Sequence, residues 1–278
     1  MKPEDKSLTV DGLRLHYLDW GNSHLQPMLL LHGFLAHAHV WDYFALNFRN
    51  RFHIIALDQR GHGESQWAAE GSYSIYEHFS DIAHFVEMLK LTHLILVGHS
   101  MGGRNAILYA AGRGDNVERL ILVDARPGSD PAASEALKHL LTRLPLQVIS
   151  LDEVVQEIHD IYPFLSLEVC QHMANHGFKR ASDGTFVPRC DVRMIQQTQR
   201  AGYEIEDLCV FMKNIICPTL IVRGEKSPFL SKKVAQEMSR LIPEAELKEI
   251  PGSAHLPAQE NPEAFNKAVS DFLNRVCR

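Results

Sequence analysis

The chain has 278 residues, 45% hydrophobic and 22% charged, ordinary globular usage with room for a full core, which argues against a disordered, fibrous or repeat protein. Lys and Arg number 28 against 34 Asp and Glu, a formal charge of −6, so there is no basic footprint for a phosphate backbone and nucleic acid is not an expected partner. No stretch approaches the ~18 apolar residues of a membrane span, the first residues lack the apolar core of a signal peptide, and five cysteines without a CxxC pair fit reduced thiols, so a cytoplasmic protein with no membrane partner is expected.

Two alternating runs around Asp11-Gly12, within Leu8–Tyr17, predict a β-hairpin. Short continuous apolar runs follow at Met28–Leu31, His53–Leu57, Leu94–Val97, Leu120–Val123 and Thr219–Val222, the signature of strands buried on both faces. Helical spacing at Val40–Phe48, Ile75–Leu89 and Met101–Ala111 lies between them. A last strand, Glu246–Ile250, precedes a helix over Pro262–Val276 with Asn261 as N-cap and Pro262 at its first position. This alternation predicts the α/β class, a mostly parallel central sheet with helices on both faces. From about Pro127 to Asn214 the rhythm breaks: Ser134–Leu144, Leu151–Ile161 and Leu167–His176 read as helices and no strand is convincing. The expected organisation is a discontinuous core, residues 1–126 and 215–278, with an inserted helical cap, residues 127–214. Its apolar side chains, Leu141 and Phe164 among them, are candidates to line a pocket, and an exposed cap surface could form a homodimer.

The segment Gly98-His99-Ser100-Met101-Gly102 follows a buried strand and opens a helix. A G-x-S-x-G sequence in that setting exposes a serine hydroxyl on a sharp turn and aims a helix N-terminus at developing negative charge, which makes Ser100 the candidate nucleophile. A hydroxyl needs a base. Among sixteen histidines, His255 follows the last strand, at the carboxyl edge of the sheet where ligands bind in open α/β folds.

With Leu31-His32-Gly33-Phe34 and Asp58-Gln59-Arg60-Gly61-His62-Gly63 in order before these segments, the chain resembles α/β-hydrolase-fold enzymes over nearly its whole length. The resemblance implies an oxyanion hole from the backbone N–H groups of Phe34 and Met101, with no cofactor or metal. His32 and His99 are candidates for the substrate pocket, His32 being read first as a buried histidine, hydrogen-bonded to backbone, that orients the oxyanion loop. His37 and His39 could hint at a metal, but no compact third ligand is evident in sequence. The acid that orients His255 departs from the commonest pattern, because Ser227 stands where an Asp is expected in the loop Arg223-Gly224-Glu225-Lys226-Ser227-Pro228. Asp124, at the end of the strand before the cap, is assigned instead, as in the YbfF-like esterase subgroup, with Glu225 as the alternative. The Asp58–Ser65 segment, with Arg60 and His62, is read as structural, and Trp41 as packing.

These residues describe a serine hydrolase that cleaves a small-molecule carboxylic ester, thioester, lactone or amide through an acyl-enzyme. Three rivals share the fold: a cofactor-independent dioxygenase acting on a heteroaromatic substrate, a lyase resembling the menaquinone-pathway SHCHC synthase in which Arg104 meets an acidic substrate, and a non-enzymatic ligand receptor.

Overall fold

The hairpin forms from β1 (Glu4–Val10) and β2 (Leu13–Asp19), paired in register from Glu4↔Asp19 to Val10↔Leu13. Its two-residue turn requires left-handed backbone at both positions, which Asp11 and Gly12 supply at φ 47° and 81°. The computed structural model describes residues 2–202 and 204–275. The remaining strands are β3 (Pro27–Leu31), β4 (His53–Leu57), β5 (Leu94–His99), β6 (Val117–Val123), the short β7 (Phe178–Arg180) and β8 (Phe186–Pro188), then β9 (Thr219–Gly224) and β10 (Ala245–Ile250). All but β7 and β8 join one sheet in the order β1-β2-β4-β3-β5-β6-β9-β10. The β1/β2 and β2/β4 pairs are antiparallel and the others parallel.

The helices are α1 (Asp42–Phe48), α2 (Ile75–Met88), α3 (Met101–Gly112), α4 (Pro131–Arg143), α5 (Leu151–Ile161), α6 (Leu167–Gly177), α7 (Arg193–Arg200), α8 (Cys209–Met212), α9 (Lys232–Leu241), α10 (Pro257–Glu260) and α11 (Pro262–Leu273). Period-two alternation along each strand divides them into two layers. Leu29, Leu31, Ile55, Leu57 and Leu96 cluster with α2, α3 and α9, whereas Met28, Leu30, Ile54, Ile95 and Val97 cluster with Trp41 and Phe44 and with Phe265 and Val269 of α11. The expected packing of Trp41 is therefore present. Both faces of the central strands are buried, the physical origin of their unbroken apolar runs.

Asn261 accepts from the Ala264 N–H, with Pro262 opening α11 as the sequence predicts. The helix ends at Leu273 with Asn274 as its C-cap, short of the predicted end at Val276, which like Cys277 lies outside the described residues. The four described cysteines are free. No helix among the described residues is long and apolar enough to cross a membrane.

Between β6 and β9 the chain makes one long excursion through α4–α8. The sequence reading of this segment as all-helical is corrected: β7 and β8 pair antiparallel from Phe178↔Pro188 to Arg180↔Phe186. Three residues per strand are too few to display alternation, but Asp183-Gly184 in the connecting turn, with Gly184 at φ 88°, was a usable hairpin signal. Val154, Ala174 and Phe178 form a small core within the excursion, and Leu165 and Cys170 pack on Leu256 of the main body. Its two ends meet. Arg104 donates to the carbonyls of Pro127 at 2.6 Å and Glu206 at 2.8 Å, Leu208 N–H bonds to Pro127 O at 3.0 Å, and the Ser129 hydroxyl bridges both backbone groups of Ile205. Leu208 and Met212 already belong to the core layer beside α3, ahead of the boundary at 214/215 expected from sequence.

Candidate active site

Ser100 is the single residue between β5 and α3, with φ 51° and ψ −114°, a backbone region that side chains other than glycine rarely enter. The turn closes because its neighbours have no Cβ. A methyl group on Gly98 would run into the Gly102 carbonyl, and one on Gly102 into the carbonyls of Leu31 and His32. The Ser100 N–H continues the ladder to Val123 O at 2.9 Å, and Asp124 N–H does the same to Val222 O at 2.7 Å. Both side chains thus leave the sheet one residue beyond a strand's carboxyl end.

His255 arrives from the loop after β10. Glu260 accepts from the N–H groups on either side of it, Ala254 at 2.6 Å and Leu256 at 3.1 Å, and the His99 ring donates from Nε2 to His255 O at 2.8 Å. With its backbone held at three points, the imidazole spans two partners: Nε2 is 3.1 Å from Ser100 Oγ and Nδ1 is 2.7 Å from Asp124 Oδ2. Asp124 is also bonded by the Gly224 N–H at 3.1 Å and by the Ser227 hydroxyl. Glu225 points elsewhere, accepting from Gly252 N–H at 2.8 Å.

Burial pushes the Asp124 carboxyl above the usual carboxylate range, opposed by the Ser227 and Gly224 donors. Burial, with the Arg126 guanidinium second, pushes the His255 imidazole down, so it is neutral at pH 7 and its Nε2 lone pair is available to a serine proton. His99, lowered to about 3 by burial, is neutral as well.

The loop after β3 is fixed by buried side chains. His32 bonds through Nδ1 to Gly33 O and accepts the Gln59 N–H at Nε2, Gln59 returns its amide to His32 O, and Asn105 holds Gln59. The Leu35 N–H goes to His62 Nε2 and the Ala38 N–H to Asp58 Oδ1. Asp58 further binds His16 and the Glu64 N–H, while Arg60 pairs with both oxygens of Asp81, so this segment, read from sequence only as structural, also braces the loop after β3. The N–H groups of Phe34 and Met101 meet no protein acceptor among the described residues, and both residues border the same cavity as Ser100.

That cavity has a volume of about 520 Å³ and is lined from both sides, by the sheet edge and by the excursion. Of the four predicted pocket residues, only His99 lies on its wall. His32 is fully buried behind the loop and occupied by Gly33 and Gln59. Leu141 is buried off the wall, since α4 turns Leu137 and Leu140 inward and Leu144 follows at its C-cap, and Phe164 is 39% exposed beneath the Lys226 ammonium. Sequence reasoning missed Arg126 and His78. Arg126 is 8% exposed, lines the cavity, and has no carboxylate at ion-pair distance among the described residues, only the charge of Asp130 farther off and long contacts of 3.4 Å to the carbonyls of Gly128 and Asp130. A cation two residues beyond a strand-end acid was the available signal. Arg104, by contrast, spends its donors on the roots of the excursion.

A family model described as alpha/beta hydrolase fold matches residues 26–262. The chain belongs to that family. Among α/β-hydrolase relatives, 2-(acetamidomethylene)succinate hydrolase of Mesorhizobium japonicum is 30% identical over 247 residues, spanning 89% of this chain and 87% of that protein. The sn-1-specific diacylglycerol lipase ABHD11 of Mus musculus is 28% identical over 287 residues, spanning 97% and 88%. The crystal structure of E-2-(acetamidomethylene)succinate hydrolase matches at a TM-score of 0.89 and 27% identity, covering 98% of this chain and 100% of that one. These two relatives are named as a hydrolase and a lipase, while a putative 2-succinyl-6-hydroxy-2,4-cyclohexadiene-1-carboxylate synthase of Bacillus subtilis is 26% identical over 274 residues, spanning 97% of this chain and 98% of that protein.

Proposed function

We propose that this α/β-hydrolase cleaves a carboxylic ester, thioester, lactone or amide of a small molecule through an acyl-enzyme on Ser100. The observation that carries the reading is the hydrogen-bonded line Ser100–His255–Asp124 opening into a cavity. Ser100 Oγ attacks the carbonyl as His255 Nε2 takes its proton, and Asp124 stabilises the imidazolium through Nδ1–H. The oxyanion is received by the Phe34 and Met101 N–H groups at the positive end of α3. His255 returns the proton to the leaving group, then activates a water that releases the acid.

Asp124 after β6, with Ser227 in the position after β9, supports membership of the YbfF-like subgroup. Residues 127–214, less the core residues Leu208 and Met212 near their end, serve as the cap that selects the substrate over the core of residues 1–126 and 215–278. The free thiols fit a cytoplasmic setting. The wall from Leu137, Leu140, Leu144 and Ile158 suits an apolar acyl or alkyl chain, and the unmatched Arg126 suits a substrate carboxylate. The Mesorhizobium japonicum relative is named for a succinate.

The test is hydrolysis of p-nitrophenyl esters from acetate to octanoate by wild type and Ser100→Ala, beside an oxygen-electrode trace on heteroaromatic phenols. Chain-length-dependent turnover lost in the variant is expected. Oxygen uptake without ester turnover would transfer the site to cofactor-free dioxygenase chemistry, and silence in both would favour a receptor.

A further inference from the structure

A second group of chemically capable side chains lies on the outer side of the oxyanion loop. His39 stands on the helical turn Ala38–Trp41 that leads into α1, Asp42 is the first residue of α1, and His172 and His176 sit one turn apart on α6. One ligand atom from each of the four lies within 4.8 Å of every other. Asp42 Oδ2 is the hub, 2.8 Å from His39 Nδ1 and 3.3 Å from His172 Nε2. The rings of His39 and His176 stack with centroids 3.7 Å apart. Asp42 Oδ1 is buried with no hydrogen-bond partner among the described residues, which is costly for a carboxylate oxygen unless something else meets it.

Three imidazoles and one carboxylate form a borderline donor set. Calcium and magnesium call for oxygen cages, whereas zinc and its neighbours take N and O ligands four at a time. Ligand atoms around tetrahedral zinc, each about 2.0–2.1 Å from the ion, stand roughly 3.3 Å from one another, close to the His172–Asp42 separation. The i, i+4 spacing of His172 and His176 turns both rings to one helix face. We propose that His39, Asp42, His172 and His176 bind one divalent transition-metal ion of the zinc class, in a four-coordinate site that straps α6 to the segment entering α1. The ion would take the place of the proton between His39 and Asp42 and of the His172 Nε2 proton, which now goes to the His39 carbonyl at 3.0 Å and would be given up on binding. With four protein ligands no position is left for water, so the site is structural. Met173 and Gly177 of α6 line the reaction cavity, as does His37, whose ring lies 6.2 Å from that of His39. Fixing α6 therefore fixes one cavity wall. Sequence reading stopped at His37 and His39 for want of a third ligand, since Asp42 gives no metal signal by itself and the next histidine of the set follows His39 by 133 positions; His37 itself contacts Met173 O and is not a ligand.

The test uses the full chain freed of metal with a chelator, titrated with zinc against a chromophoric indicator and, separately, with cobalt. About one equivalent is expected to bind, cobalt giving the intense visible bands of a four-coordinate site and zinc raising Tm by several degrees. His176→Gln and Asp42→Asn should each weaken zinc binding about tenfold or more and abolish the Tm rise. Far-UV circular dichroism of the metal-free variants checks their fold, and Asp42→Asn, which conserves shape, decides if the histidine variant does not fold. No stoichiometric binding by wild type, the weak spectrum of six-coordinate cobalt, or equal binding by wild type and a folded variant would overturn the assignment.

Discussion

Ser227 Oγ donates to Asp124 Oδ2 while accepting the backbone N–H groups of Phe229 and Leu230 at 3.1 and 3.0 Å. With both lone pairs occupied, its one proton is aimed at the carboxylate. A donor to the anion favours ionisation, so removing it raises the Asp124 pKa. Because the proposed working form carries Asp124 ionised, Ser227→Ala should move the acid limb of the kcat/KM profile to higher pH by about one unit, with a smaller effect at the alkaline plateau. A superimposable pH profile would remove Ser227 from any role in that ionisation.

The choice of Asp124 over Glu225 as the orienting acid separates in two variants. Asp124→Asn keeps the shape but loses the charge that stabilises an imidazolium, and turnover should fall by about 10³–10⁴ with the thermal transition intact. Glu225→Gln removes only the charge and keeps an amide oxygen to accept the Gly252 N–H, and should stay within about twofold of wild type. Steady-state kinetics on one ester decides, and the reverse ranking would return the role to Glu225.

The strained turn makes a prediction about stability. Ser100 and an alanine in its place carry the same Cβ into the φ 51° region, whereas glycine carries none. Ser100→Gly and Ser100→Ala should both be inactive, yet the glycine variant should be more stable than the alanine variant by about 1 kcal/mol after the larger unfolded-state entropy of glycine is included. Urea midpoints measured side by side give the comparison, and equal midpoints would mean that the turn stores no strain.

Arg126 should discriminate substrates rather than drive chemistry. Arg126→Leu is expected to lower kcat/KM for esters ending in a carboxylate by about tenfold to a hundredfold, while neutral esters of equal length are retained or improved. Paired measurements on a hemisuccinate ester and a butyrate ester test this. A uniform loss on both would mark the guanidinium as structural.

The legible parts of the molecule were those in which a short stretch reports its own surroundings. Strands such as Leu29–Leu31 are buried on both faces and are apolar throughout, and Gly98 and Gly102 are forced by neighbours only a few residues away or on the adjoining strand. Helix α9 was missed although Ser231 caps it and Val234, Ala235 and Met238 repeat at helical spacing. The cavity wall was harder to read. Leu137 and Leu141 are one helical turn apart and both apolar, yet only Leu137 reaches the cavity, because rotation of α4 is set by packing that periodicity does not encode. The His39–Asp42–His172–His176 cluster was invisible for a related reason, since it exists only after α6 docks on the main body.

The guanidinium of Arg104 grips both roots of the excursion at once, on the helix that begins with the nucleophile's turn. A lobe whose entry and exit share one anchor can be lengthened, shortened or exchanged without transmitting a change of span to the sheet. Recombination between such hydrolases at Pro127 and Glu206 could therefore trade substrate ranges while leaving the chemical apparatus in register, and a lobe grafted there from a relative should fold on an unaltered base.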